Sequence, residues 1–533
     1  MFERRVASSF LGFILTLAAT TSFASTKLFN PAKTYDSGGL YPNWTTVADV
    51  NGDGKADLIV IHDCGASPYC YSGAVTVLLG NGDGTFQAAQ AYDSGGEHPV
   101  SVAAADLNGD GKVDLIVANG CPTGSNSGGC LPSSIGQVAV LLGNGDGTFQ
   151  PAQLYNNGGS SPNALAVADV NGDGKPDVIV SRSDASVCPG PSGTIDVLLG
   201  NGDGTFQAVR KYSAGGCNPA SVAIADVNGD GNMDVVVANG SCDGCEVGTA
   251  SVLLGKGDGT FGIPQRYSSG DFHANAIAVS DVNEDGIPDL VVSNGCGISC
   301  QNGADVGVLL GNGDGTFQTV QLYSTGGFAA IGMVVGDVNE DGHSDIIVLN
   351  CGLDSQACLH KNATIGKGEV SVLLGNGDGT FAPPQSYASG GETGTAIALA
   401  DLNGDGKLDV VATNQCKTLS ACSTGVIGVL LNATLWNTTT ALASSPNPSV
   451  LNQFVTLTAT VSGHATPEGR VTFEASGMIL GSAKLNNGVA TIRTRKLPQG
   501  TTSISAYYLG NTAFGQSTSP ALIQVVNPAG QTP

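Results

Sequence analysis

Seven stretches of nine residues carry Asp, Asn, Asp and Asp at positions 1, 3, 5 and 9, with Gly always at position 6. The oxygen donors are Asp49, Asn51, Asp53 and Asp57; Asp106, Asn108, Asp110 and Asp114; Asp169, Asn171, Asp173 and Asp177; and Asp226, Asn228, Asp230 and Asp234. The last three copies supply Asp281, Asn283, Asp285 and Asp289; Asp337, Asn339, Asp341 and Asp345; and Asp401, Asn403, Asp405 and Asp409. A loop that bends sharply at Gly can aim alternate side chains and one carbonyl at a single point, and Ca²⁺ takes about six to eight such hard oxygens. Position 7 varies (Lys55, Lys112, Lys175, Asn232, Ile287, His343, Lys407), as expected where only a backbone carbonyl is used. Mg²⁺ demands stricter octahedral geometry and keeps its waters, so it suits these loops less well.

One such stretch alone would read as an acidic turn. Three carboxylates crowded together repel without a cation, and sevenfold repetition makes a metal-free explanation poor. A nearly filled shell of protein oxygens predicts a structural ion, since a catalytic one needs an open position beside acid or base groups. Up to seven structural Ca²⁺ are therefore expected.

The charge balance agrees. The chain has 533 residues and a formal charge of −24, and 29 of its 45 acidic residues lie in the nonapeptides and in six "GDGT" turns. That charge repels nucleic acid, while an apolar fraction of 41% argues against disorder. The first 24 residues read as an export signal: Arg4 and Arg5, an apolar run from Phe10 to Ala19, and small residues before a cut after Ala24. Its removal leaves −25, which seven Ca²⁺ would bring to about −11. No later apolar run is long enough to span a bilayer. A secreted, periplasmic or cell-surface protein is expected, and a monomer.

The elements around the motifs are strands. The nonapeptides recur at intervals of 55 to 64 residues, between short β-branched runs such as "ALAVADV" and "DVIVS". A further run, "VLLGNGDGTF", contains hairpin chemistry, because its Gly residues supply the positive φ of a tight turn. With the run ending in Tyr, each unit has four strands. Phe29, Phe86, Phe149, Phe206, Phe261, Phe317 and Phe381 each stand six residues before a Tyr, and each Tyr stands 14 before a nonapeptide. Phe29 has no "GDGT" ahead of it, and the seventh unit stops at "NATLWN" where its turn and fourth strand belong. The two halves fit: residues 27 to 35 are expected to supply the outer strand of the last unit. The fold expected is all-β, a seven-bladed β-propeller closed by its N-terminal strand, which removes the exposed edges that an open solenoid of seven units would keep.

Fourteen cysteines fall as Cys64/Cys70, Cys121/Cys130, Cys242/Cys245, Cys296/Cys300, Cys351/Cys358, Cys416/Cys422, and Cys188 with Cys217. An even count in an exported chain predicts disulfides. Zinc or redox chemistry at "CDGC" (242 to 245) is the weaker rival, because no second Cys pair or nearby His completes a four-ligand site. From ninth-position Asp to next Phe the chain runs 29, 35, 29, 27, 28 and 36 residues, so length varies only in the Cys-bearing loops. Those loops and the "GG" loops share the face opposite the nonapeptides. A ligand site is expected there, among Gly38, Gly39, Gly95, Gly96, Glu97, His98, Phe272, His273 and Phe328.

Position 12 counted from the first Asp is Val in six copies and Ala412 in the seventh, where an EF-hand needs Glu. The strand-flanked loop instead resembles the FG-GAP or VCBS repeats of bacterial exported proteins and the calcium-binding blades of integrin α-subunits. The resemblance covers residues 27 to 432 and implies a propeller whose calcium loops join the first and second strands of its blades. It implies no single activity.

After Trp436 the Cys and nonapeptides vanish, and strand-like runs such as "FVTLTATVSG", "GVATIRTRKL" and "TTSISAYYLG" follow. "ISAYYLGNTAFGQSTS" resembles the late strands of bacterial Ig-like domains, whose expected role here is a spacer. The domains expected are a signal peptide (1–24), the propeller (25–433) and an Ig-like β-sandwich (438–528). The leading function is a secreted calcium-binding module for binding or adhesion to an extracellular protein or glycan. The rivals are an extracellular polysaccharide lyase or hydrolase on a propeller scaffold, and a passive envelope component. The six His residues are scattered without a recurring Asp or Ser partner, and the repeated carboxylates already have a metal role, which weighs against the enzyme.

Overall fold

The computed structural model describes residues 27–64, 72–122, 136–156, 159, 162–183, 193–240, 247–295, 303–352, 367–418, 424–511 and 513–530. The export signal and most Cys-bearing loops expected from the sequence lie outside them. Among the described residues every regular element is a strand, and no helix is long and apolar enough to cross a membrane.

The first repeat forms an antiparallel four-stranded sheet from Leu40–Ala48, Asp57–Cys64, Ala74–Leu78 and Gln90–Asp93, paired in chain order. Four more sheets repeat it, beginning at Gly96–Ala105, Pro162–Ala168, Pro219–Ala225 and Ala274–Ser280. The last two repeats share the strand Gln385–Ala400, outer in one and inner in the next, so they merge into one seven-stranded sheet. Its far edge is Lys33–Asp36 from the start of the chain, in register with Val426–Leu430: Lys33 faces Val429 and Asp36 faces Val426. Repeated four-stranded sheets of this kind are consistent with a propeller.

Burial follows strand position. Second strands such as Asp234–Asn239 are buried along their whole length, as continuous apolar runs packed on both faces must be. Outer strands such as Gln153–Asn156 are mostly exposed, with only the Tyr turned partly inward. The sheets stack through apolar layers. Leu58, Val60 and Leu78 of the first repeat join Val411, Ile427 and Val429 of the last in one cluster, so the two ends of the repeat region pack directly together.

The invariant aromatics sit at these seams. Each Tyr meets the Phe of the following repeat edge to face, as in Tyr92 with Phe149 (centroids 5.4 Å apart) and Tyr155 with Phe206 (5.2 Å). Most of these Tyr hydroxyls also donate to a glycine carbonyl in the neighbour's "GDGT" turn, Tyr155 to Gly204 at 3.1 Å for example.

Beyond residue 437 two sheets face each other, one of Thr438–Ser445, Val455–Gly463 and Val489–Thr494, the other built around Arg470–Ala475, Gly500–Tyr508 and Leu522–Asn527. Their core holds Leu457, Phe473, Ile504 and Tyr508. The Tyr508 hydroxyl donates to the Glu468 carbonyl at 2.6 Å and pins the loop before the Arg470 strand.

Candidate metal loops and the opposite loop face

Each nonapeptide joins the first and second strands of its sheet, and its ninth residue opens the second strand. That residue is fully buried in all seven copies: Asp57, Asp114, Asp177, Asp234, Asp289, Asp345 and Asp409. One carboxylate oxygen accepts the N–H of position 2 (Val50 to Asp57, 2.9 Å). The other accepts an N–H at the end of the third strand (Gly80 to Asp57, 2.7 Å). The same two bonds recur down to Asp409, which takes Leu402 and Asn432 at 3.0 and 2.7 Å. The ninth Asp thus ties its loop and its own strand to the third strand.

The first Asp organises the loop itself. Asp49 accepts the N–H groups of Gly52 (2.8 Å), Asp53 (3.1 Å) and Gly54 (2.8 Å). Gly52 and Gly54 hold φ near +72° and +79°, which lets the backbone curl around the carboxylate. In the fifth and sixth copies Glu284 and Glu340 take the first of these left-handed positions despite their side chains. Asn51 accepts the N–H of Asp53 at 2.9 Å, and Asp53 that of Lys55 at 3.0 Å.

Burial pushes the carboxyl of every ninth Asp up, and the nearby first and fifth carboxylates add to it. At Asp345 and Asp409 the result is about 6. Among the described residues no three acidic, His or Cys side chains stand at metal-holding spacing; the oxygens are engaged by N–H groups instead. The donor set still fits a hard cation. Each carboxylate oxygen carries two acceptor sites, so those holding one N–H keep one for a metal. The charge that disfavours ionisation at position 9 is what such an ion would offset. The loop's residues 1, 3, 5 and 9, with the carbonyl of position 7, are the groups that would hold it.

The opposite face differs from the sequence expectation in one respect. Gly39, Gly96 and Glu97 are buried. A Cβ on Gly39 would lie 2.6 Å from the His62 ring, and one on Gly96 would lie 2.5 Å from Asn119 Cβ. The second Gly of each pair makes room for a polar residue five positions after the ninth Asp, a recurring position that the sequence reading missed. It holds His62, Asn119, Arg182, Asn239, Asn294, Asn350 and Asn414. Asn119 donates to the Ser94 carbonyl (2.9 Å), and Asn294 to that of Ser269 (2.8 Å). His62 Nε2 lies 3.0 Å from the Ser37 carbonyl and 2.9 Å from Thr76 Oγ1. Arg182 donates from Nε to buried Asp196 at 2.6 Å. The available signal was the fixed offset from position 9, visible only when all seven copies are aligned.

His98 and His273, together with Tyr41, Asn218, Ala329 and Thr393, take left-handed φ between 47° and 55° at the start of the inner strands. The ladder register shifts at the same place, as at Pro99/Ser101. Nearby, Phe272 and Tyr41 are 38% and 45% exposed. His98 Nδ1 lies 3.5 Å from Asp63, which accepts from Asn43 at 2.5 Å. Burial pushes the Asp63 carboxyl up. Phe328 is half-buried. Cys121, Cys217 and Cys416 are disulfide-bonded, and the remaining cysteines of the expected pairs other than Cys64 and Cys351 lie outside the described residues.

Comparison with known proteins gives two family matches. The FG-GAP-like repeat matches residues 49–117, 130–180, 182–237, 298–348 and 363–412, together just over half of the chain. The bacterial Ig-like domain (group 3) matches residues 442–527. Integrin alpha pat-2 of Caenorhabditis elegans is 28% identical over 218 residues, 36% of this chain and 17% of that protein. Phosphatidylinositol-glycan-specific phospholipase D of Rattus norvegicus is 32% identical over 158 residues, 26% and 18% of the respective chains. The chain spans less than a fifth of either relative.

Proposed function

The chain belongs to the FG-GAP-like repeat family and carries a bacterial Ig-like domain, and on that footing we propose that it is an extracellular binding module built on a closed, calcium-stabilised, seven-bladed propeller. In this reading the strand Lys33–Asp36 completes the seventh blade, and up to seven Ca²⁺ occupy the loops from Asp49 to Asp409. The ions hold one face rigid. Ligand is bound on the other, where the Cys-bearing loops vary in length and disulfides pin them. The partner is an extracellular protein or glycan, and the Ig-like domain is a spacer.

Seven ninth-position aspartates at 0% exposure, each bonded by two N–H groups, carry the metal part of the reading. The first and fifth carboxylates of each loop disfavour ionisation of the ninth, and a cation among them would offset that repulsion. The binding part is supported by the confinement of length variation to one face. A repeat matched both in an integrin and in a phospholipase points to a scaffold rather than one chemistry.

Two measurements test it. Elemental analysis of the folded protein should find several calcium ions per chain, and none would sink the metal part. Protein and glycan arrays should show binding that is lost when the Cys-bearing loops are shortened. Binding that survives their loss, or cleavage of a polysaccharide, would overturn the binding part.

A further inference from the structure

The seventh nonapeptide differs from the first three in where its lysine goes. Lys55, Lys112 and Lys175 pair with the fifth Asp of their own loops at 3.1, 3.5 and 3.9 Å, with side chains 43 to 44% exposed. Lys407, at the same position, is 4% exposed and turned away. Its ammonium donates to the Thr434 carbonyl and lies 4.8 Å from the centre of the Trp436 ring. Trp436 stacks in turn on His464, centroids 4.0 Å apart and planes within 3°. Gly406 lies under the same rings, where a Cβ would be 3.4 Å from each.

Trp436 stands two residues before the first strand of the Ig-like domain and packs into it. It sits in that domain's core cluster with Phe514 and Val461, is 7% exposed, and exchanges backbone bonds of 2.8 Å with Ala513 and Gly515. His464 follows the strand Val455–Gly463. The tip of the seventh loop, Gly406 and Lys407, is therefore clasped by two aromatic rings of the neighbouring domain. Among the described residues no other loop meets these two rings; the sixth touches the same segment only through Asn437 Nδ2, which donates to the Glu340 carbonyl at 3.5 Å.

We propose that the seventh loop is the docking surface of the Ig-like domain, and that metal binding at this loop and seating of that domain are thermodynamically coupled. This rests on the calcium reading above. The coupling runs through one residue: the Lys407 carbonyl is the position-7 group that would face the metal, and the Lys407 side chain is what the Trp436 ring and Thr434 hold. An ion that fixes the backbone of residues 405 to 407 fixes the platform on which Trp436 and His464 rest. By reciprocity, a seated domain raises the metal affinity of this loop by the factor by which metal favours seating.

The test uses the full chain with Trp44→Phe, which leaves Trp436 as the single tryptophan. Calcium is titrated with two readouts, heat for all sites and Trp436 emission for the seventh loop. Asp405→Asn is expected to shift the calcium midpoint of the emission by about tenfold or more, while Asp173→Asn, in a loop open to solvent, shifts it by less than about twofold. His464→Ala spares every ligand and is expected to shift it about fivefold; should Asp405→Asn fail to fold, this variant decides. Calcium heat without an emission response, or equal shifts from Asp405→Asn and Asp173→Asn, overturns the coupling and leaves the calcium reading standing. Absence of calcium heat overturns both.

Discussion

Phe29 and Tyr387 stand edge to face, ring centroids 5.5 Å apart and planes at 89°, although they lie at opposite ends of the repeat region. The Leu28 N–H donates to the same Tyr387 hydroxyl at 3.1 Å. Six residues on, Tyr35 makes the next such pair with Phe86 at 5.4 Å. Phe29 also bridges Asn432 as Phe86 bridges Gly80 within its own repeat. The N-terminal segment thus repeats the ladder pairing, the bridge and the edge-to-face ring contacts that outer strands make in the other repeats.

Phe29 is 1% exposed, so Phe29→Ala should destabilise the protein by about 3–5 kcal/mol, as removal of a buried aromatic does. Deletion of residues 27–36 should do more, through the lost pairing with Val426–Leu430. Urea unfolding measures both. A loss under about 1 kcal/mol for the deletion would mark the segment as a frayed end and sink the outer-strand assignment.

Calcium removal should lower the melting temperature, because an ion that binds only the folded chain stabilises it by mass action, about 2.7 kcal/mol per site at a hundredfold excess over Kd. Calorimetry before and after chelation, with metal content verified, checks this. An unchanged melting curve in metal-free protein counts against structural calcium.

Positions 5 and 9 of one loop should separate the two roles of its acids. Asp177 accepts from Val170 and Gly200 at 3.0 and 2.7 Å, and an amide can accept with only one of its two ends. Asp177→Asn should therefore cost about 1–3 kcal/mol even in chelator. Exposed Asp173 has no such buried bonds, so Asp173→Asn should stay within about 0.5 kcal/mol without metal and matter only with calcium present. Denaturation with and without chelator compares the pair.

Burial pushes the His62 imidazole down to about 4 from its ordinary 6.5. The unfolded chain takes up the proton first, so the stability this neutral ring contributes is present above pH 6.5 and lost as pH falls toward 4. The loss at pH 5 should be roughly 2 kcal/mol. His62→Asn installs the residue that five other repeats carry here and should abolish this share of the acid sensitivity. If the variant's stability falls with pH as steeply as the parent's, His62 is not its source.

The sequence carried the rhythm of the fold unusually far. Fixed offsets from Phe29 to Tyr35 to Asp49 recur because those residues touch the next sheet, and any insertion would pull a Tyr away from its Phe. The recurrence of Asp at positions 1 and 9 was legible because each accepts backbone N–H groups at fixed places in its own repeat. What escaped was chemistry hidden by substitution. His62, Arg182 and Asn119 share no side-chain type, yet each fills the same buried notch against a "GG" loop. The loop glycines therefore read as ligand space when Gly39 and Gly96 are clearance for a neighbour. The Trp436 and His464 clasp was invisible too, because nothing in Lys407 itself distinguishes it from Lys55.

The partner of Lys33–Asp36 is made close to four hundred residues later. During synthesis from the N-terminus the native partner of the first strand is available only once the last repeat has emerged, and contacts so distant in the chain are slow to form. A product cut short anywhere before Leu430 keeps an open edge and never gains the Phe29–Tyr387 contact in its full setting.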